Sequence, residues 1–334
     1  MKIENILRYV VLTGIFAIPL VVPFLVSSTM FFPFITGKGF AFRIITEIIF
    51  ACWFILALRD KAYRPRFSWI AVGVAGFLAI LLVADIFAEN PAKAFWSNYE
   101  RMEGFVSIFH FGIYFFVAGS TLLTERLWNW FLHAPIATAI AIFFYTMLEL
   151  KGELVINQGG VRLDGTLGNA IYLAGFLVVV IFLVMLFWSR RHLERLHYIV
   201  SAWLVGASIF ILYHVYPFLK KIAQATSPDA KIPFFMGEWS QWLFIVSVVI
   251  VVLALYVFYS SSKWKAETGR VISDVLYFIT TILLFVPLYN TATRGAMLGF
   301  IGGFFLTAVI LIIWGKEAPT LRKIAIGVAV VVVL

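Results

Sequence analysis

Ten largely apolar runs recur along this chain of 334 residues, and they decide what it can fold into. They lie at about 9–27, 40–58, 68–88, 105–123, 128–148, 170–188, 198–217, 239–259, 271–289 and 296–314, each 19 to 21 residues long. A helix needs about 20 such residues to cross the hydrocarbon of a bilayer. Backbone amides there find no water, so each run must satisfy its own hydrogen bonds as a helix. Only 13% of residues are charged and 63% are hydrophobic, with a mean hydropathy of +0.99. A soluble globular chain carries about a quarter charged residues, which excludes that class. The expectation is an all-α, polytopic transmembrane helix bundle, a single transmembrane domain over 1–334. An eleventh run starts at Ile324 and is cut off at Leu334, so about eleven helices are expected, the last truncated, in the front part of a longer protein.

Lys2 and Arg8 precede the first run in the manner of a signal peptide, but no small-x-small cleavage site follows, so it reads as an uncleaved first helix. Cys52, the sole cysteine, lies in an apolar run. An internal disulfide and a thiolate metal cluster are therefore excluded.

Orientation follows from lysine and arginine asymmetry. With the N-terminus in the cytoplasm, 16 of the 26 basic residues fall on inner segments, against seven of the 17 acids. Arg59, Lys61, Arg64 and Arg66 make one inner cluster, Arg190, Arg191 and Arg195 another. The net charge of +9 is thus explained by membrane sidedness, and a soluble nucleic-acid binder is excluded because its basic residues would not alternate this way.

The outer segments hold the unusual residues. The first contains Phe31, Phe32, Phe34, Gly37 and Lys38, and runs into a helix whose Arg43 and Glu47, four apart, share a face and can pair. Asp85 to Gly104 is dense in aromatics and alternating charge, including Glu100, Arg101 and Glu103. Leu148 to Asn169 carries a glycine-rich turn with Arg162 and Asp164. Phe218 to Glu238, with three lysines and two prolines, reads as an amphipathic interfacial segment.

Between the ninth and tenth runs, Tyr289 to Gly299 is a short polar interruption with a lone Arg294. An arginine inside hydrocarbon costs roughly 2.5–3.5 kcal/mol on insertion scales, so it is read as functional unless it snorkels at the membrane edge. Placed just before a helix start, its guanidinium would join free N–H groups and the positive dipole end in binding an anion, a phosphate above all. Gly295, Gly299, Gly302 and Gly303 are spaced to let a neighbouring backbone approach, which would seat Arg294 against the bundle.

Three stretches resemble the O-antigen ligase and Wzy-type polymerase superfamily of bacterial envelope glycan enzymes. Thr291-Ala292-Thr293-Arg294-Gly295-Ala296 is similar to its Thr-x-Ser-Arg-Gly-Ala signature. Arg162-Leu163-Asp164-Gly165-Thr166-Leu167-Gly168-Asn169 resembles its Arg-x-x-Gly-Thr-Phe-Gly-Asn-Pro-Asn turn, although Ala170-Ile171 follows here in place of Pro-Asn. Phe95 to Gly104 is like the aromatic Glu-Arg loop of many members. The likeness covers roughly 30 to 315. It implies a GT-C-like membrane glycosyltransferase, multi-pass in the bacterial cytoplasmic membrane with its active face outward. Such enzymes move a glycan from an undecaprenyl-pyrophosphate carrier to a lipid A core, a growing polysaccharide or a protein. They use no metal or other cofactor; arginines hold the pyrophosphate, and a histidine in a later outer loop, here beyond Leu334, activates the acceptor.

The residue chemistry leads to a similar place. Cleaving a glycosyl–pyrophosphate bond needs the leaving charge neutralised, which fixed guanidiniums do through bidentate bonds. Arg294 and Arg162 are the main substrate-binding candidates, then Arg101, which could instead pair with Glu100 or Glu103, and then Lys38 and Arg43. His110, His214, Glu100, Glu103 and Asp164 are the outer-side candidates for a base; none is chosen, and Asp164 could simply orient Arg162. The main alternative is a flippase or transporter of lipid-linked oligosaccharide, which would place cations in the middle of several helices. A non-catalytic membrane scaffold is the third reading.

Overall fold

The computed structural model describes residues 3–98, 101–157, 160, 162–191, 268–314 and scattered positions from 322 to 329. Among the described residues every regular element is helical. The runs expected at 198–217 and 239–259, and the segment Phe218 to Glu238, lie outside them.

Nine α-helices are described: α1 Ile3–Val21, α2 Thr36–Arg59, α3 Trp69–Ile86, α4 Pro91–Trp96, α5 Phe105–Thr121, α6 Glu125–Leu150, α7 Ala170–Arg191, α8 Thr268–Asn290 and α9 Arg294–Trp314. Six helices of 18 to 26 residues are long and apolar enough to cross a membrane, and α5 and Val275–Asn290 are shorter apolar helices. At 1.5 Å per residue these six reach about 27–39 Å, against a hydrocarbon core of about 30 Å. On α3 no residue is buried, and Trp69, Ile70, Ile80 and Phe87 are each at least 70% exposed. A surface of that kind calls for lipid around it. The class is that of a membrane protein with transmembrane helices.

The chain divides into two compact units, Met1–Val184 with Thr280–Thr293, and Met185–Ile279 with Arg294–Leu334. In the first, α2 packs on α1 and α5, α6 on α1, and α3 on α5. Val11 and Ile15 of α1 meet Ile49, Trp53 and Leu56 of α2, and Val117 and Leu122 close the core from the α5 side. Gly14 lets α1 and α2 approach, since a Cβ there would overlap the Ile49 side chain. In the second unit Trp188 and Phe278 meet edge to face, as do Phe300 and Phe304.

Prolines shape α1. Pro19 has no N–H for the Ile15 carbonyl, and Pro23 has none for the Pro19 carbonyl. Each orphaned oxygen finds a hydroxyl on a neighbouring helix. Tyr114 Oη donates to Ile15 O at 2.9 Å, and Thr138 Oγ1 donates to Pro19 O at 2.6 Å. At the opposite end of α2, Arg59 pairs with Glu4 at 3.0 Å, and Trp53 Nε1 donates to Tyr63 O.

Candidate functional site

Parts of four segments expected on the outer face, at Phe34 and Lys38, at Met102, at 162–168 and at 291–293, are tied together at one end of the first unit. The centre is the turn 162–168, which leaves α6 and enters α7. Its Gly165 and Gly168 have left-handed backbones, φ +55° and +66°, a region that side chains with a Cβ rarely adopt. At Gly168 a Cβ would also overlap the Phe34 ring. The turn is held from below by acids: Glu149 Oε2 accepts from Gly165 N at 3.2 Å, and Asp164 Oδ2 accepts from Asn157 N at 2.9 Å. Asp164 is fully buried and Glu149 is 3% exposed.

Arg162 reaches from this turn to the end of α8. Its Nε donates to Thr291 O at 2.8 Å and its Nη2 to Thr293 Oγ1 at 3.0 Å, while Leu163 N donates to Asn290 O. The receiving turn is tight. Ala292 has φ +47°, Thr291 N bonds Pro287 O, and Thr291 Oγ1 bonds Leu288 O. Thr291 is fully buried and Thr293 is 6% exposed. Two stretches about 130 residues apart thus form one structure with a guanidinium at its surface, since Arg162 itself is exposed.

Lys38 fastens the first segment to this centre. Its ammonium donates to Thr166 O at 2.7 Å and Phe34 O at 2.9 Å, so two of its three N–H bonds go to backbone. Arg43 does not pair with Glu47 as the spacing allows. Its Nη1 donates to Met102 O at 2.9 Å, while Glu47 takes His110 Nε2 at 3.2 Å. The physical reason is the left-handed Met102, φ +50°, whose carbonyl is also taken by Ser107 Oγ and offers Arg43 a half-buried acceptor. Arg101 lies over the Phe32 ring with Cζ 4.1 Å from its centroid, a cation–π contact. Among the described residues it forms no ion pair with Glu103. Arg43 Nη2 and Arg101 Nε are buried without a hydrogen-bond partner.

Of the candidate bases, Glu100 and His214 lie outside the described residues. His110 is committed at both nitrogens, Nδ1 to Val106 O at 2.6 Å and Nε2 to Glu47. Asp164 is buried beneath the turn, and the groups that orient Arg162 are Thr291 and Thr293. Arg294, in the second unit, is the first residue of α9 and is exposed. Among the described residues no atom comes within 4 Å of a Cβ built at Gly295, Gly299 or Gly302.

Sequence reasoning missed the Thr291 carbonyl, the Thr293 hydroxyl and the two phenylalanines as the partners of the basic residues. The available signal was the Thr-Ala-Thr alternation before Arg294. No group of three or more metal-ligating side chains occurs among the described residues. No family model, curated protein or solved structure matches the chain.

Proposed function

We propose that this chain transfers a glycan from an undecaprenyl-pyrophosphate carrier to a lipid, glycan or protein acceptor, as a GT-C-like bundle of about eleven helices with its N-terminus cytoplasmic and its site outward. The observation that carries the reading is the bonding of Arg162, in its glycine-rich turn, to the Thr291 carbonyl and the Thr293 hydroxyl. Of the five N–H donors of Arg162, three have no partner among the described residues, in a fork suited to phosphate oxygens. Arg43 Nη2 and Arg101 Nε add buried donors without a partner among the described residues.

In the reaction the acceptor hydroxyl attacks the anomeric carbon. The bond from that carbon to the pyrophosphate oxygen breaks, and undecaprenyl pyrophosphate leaves with the electron pair. The hydroxyl proton passes to a base. Guanidiniums stabilise the charge gathering on the leaving group, the role preorganised donors play at developing oxyanions. Lys38, Arg101, Arg162 and Arg294 lie between helices or in a first helical turn, which favours an enzyme over a flippase.

The test uses the full-length protein in proteoliposomes with an undecaprenyl-pyrophosphate glycan. Wild type is expected to release undecaprenyl pyrophosphate and transfer the glycan, with rates reduced about a hundredfold or more in Arg162→Ala and Arg294→Ala. Intact glycan-lipid crossing the bilayer would mean a flippase. Transfer unchanged in both variants would remove the arginines from the site.

A further inference from the structure

Thr293 has a hydroxyl in a place where shape alone would accept valine. The residue is 6% exposed, and Oγ1 lies 3.0 Å from Arg162 Nη2, 3.2 Å from Thr291 O and 3.3 Å from Ala170 O. A guanidinium only donates and a carbonyl only accepts. Thr293 Oγ1 must therefore accept from Arg162 and point its own proton at Thr291 O or Ala170 O. That arrangement fixes the direction of its lone pairs. With Nε bonded to Thr291 O, the guanidinium is held by two of its atoms, which fixes its plane as well as its place.

We propose that Thr293 is the positioning residue of Arg162: its hydroxyl locks the guanidinium plane so that the free donors face the anion of the substrate. This rests on the reading that Arg162 contacts the carrier's pyrophosphate. Serine keeps the acceptor and should serve equally. Valine keeps the bulk and the β-branch but offers no lone pair, leaving Arg162 hinged on Nε alone.

Two measurements on the full chain separate the contact from its role. The first is a double-mutant cycle in thermal unfolding, with Arg162→Met, Thr293→Val and the pair. The loss in the double variant is expected to fall short of the sum of the two single losses, because both singles remove the one bond they share; strictly additive losses would overturn the contact. The second is steady-state transfer in proteoliposomes. Thr293→Val is expected to raise KM for the undecaprenyl-pyrophosphate glycan about tenfold or more, and Thr293→Ser should stay within about twofold of wild type. Val and Ser behaving alike would overturn the positioning role. If wild type transfers nothing, the functional reading fails and the role falls with it, while the cycle still decides whether the clamp exists.

Discussion

Lys38 shows how far a residue's role depends on surroundings that lie far along the chain. On an outer segment of a membrane protein a lone lysine reads as a ligand for phosphate. In the fold it is a staple, donating to the Phe34 carbonyl nearby and to the Thr166 carbonyl 128 residues along the chain. Lys38→Met would leave both acceptors without their cation, a loss of about 2 kcal/mol for bonds to a charged group. The expected outcome is a lowered melting temperature in detergent with KM for the carrier little changed in the folded fraction. A raised KM at unchanged stability would restore Lys38 to the substrate site. Arg162 was legible as a candidate because arginine in a glycine-rich turn is unusual. Its partners were not, because Thr291 and Thr293 are small hydroxyl residues whose role depends on a contact across 129 residues. Arg43 and Glu47 were misread for the same reason: helical spacing puts them on one face, but the Met102 carbonyl, a long-range acceptor, wins Arg43.

Among the elements, helices were the readable part. Periodicity is not needed when a run is apolar throughout, and the expected spans agree with α2, α3, α5, α6, α7 and α9 to within a few residues. Helix ends were less legible, since capping acts through single side chains: Ser68 and Thr124 accept from the third residue on and start α3 and α6. The short α4 went unread although Asn90-Pro91 announces it, an Asn cap accepting from Lys93 N followed by proline at the first helical position. What no pattern discloses is the repair of proline-broken backbone by other helices. Tyr114 bonds the carbonyl that Pro19 frees, inside an apolar helix pair where water is scarce. Tyr114→Phe keeps the ring packing with Phe42 and Phe131, so its cost is that of an unsatisfied carbonyl, about 1–3 kcal/mol. Thermal unfolding should show that drop in Tyr114→Phe and none in the control Trp130→Phe, an exposed position on α6. Equal stability of wild type and Tyr114→Phe would mean that the Ile15 carbonyl has another donor.

At the scale of the molecule, the first unit puts its two ends to different uses. One end is short, basic and closed by the exposed Arg59–Glu4 pair, a contact of at most about 1 kcal/mol. The other gathers the segments 25–35, 97–104, 151–169 and 291–293 through backbone-directed bonds from Lys38, Arg43 and Arg162. Stability at the first end comes from the helices themselves, whereas the second has long loops whose shape depends on a few cationic side chains. Under the glycan-transfer proposal, Arg43 and Arg162 would order the loops and also offer donors to an anion. If that end is outward, the basic residues of the inner loops and the site must lie on opposite sides of one membrane. In a Cys52→Ala background, Glu153→Cys and Arg66→Cys, both exposed, report the two ends. A membrane-impermeant maleimide applied to intact cells should label Cys at 153 and reach Cys at 66 only after permeabilisation. The reverse pattern would place the arginine-bearing turns in the cytoplasm, where an outward-facing carrier cannot meet them, and the glycan-transfer proposal would fall on topology alone.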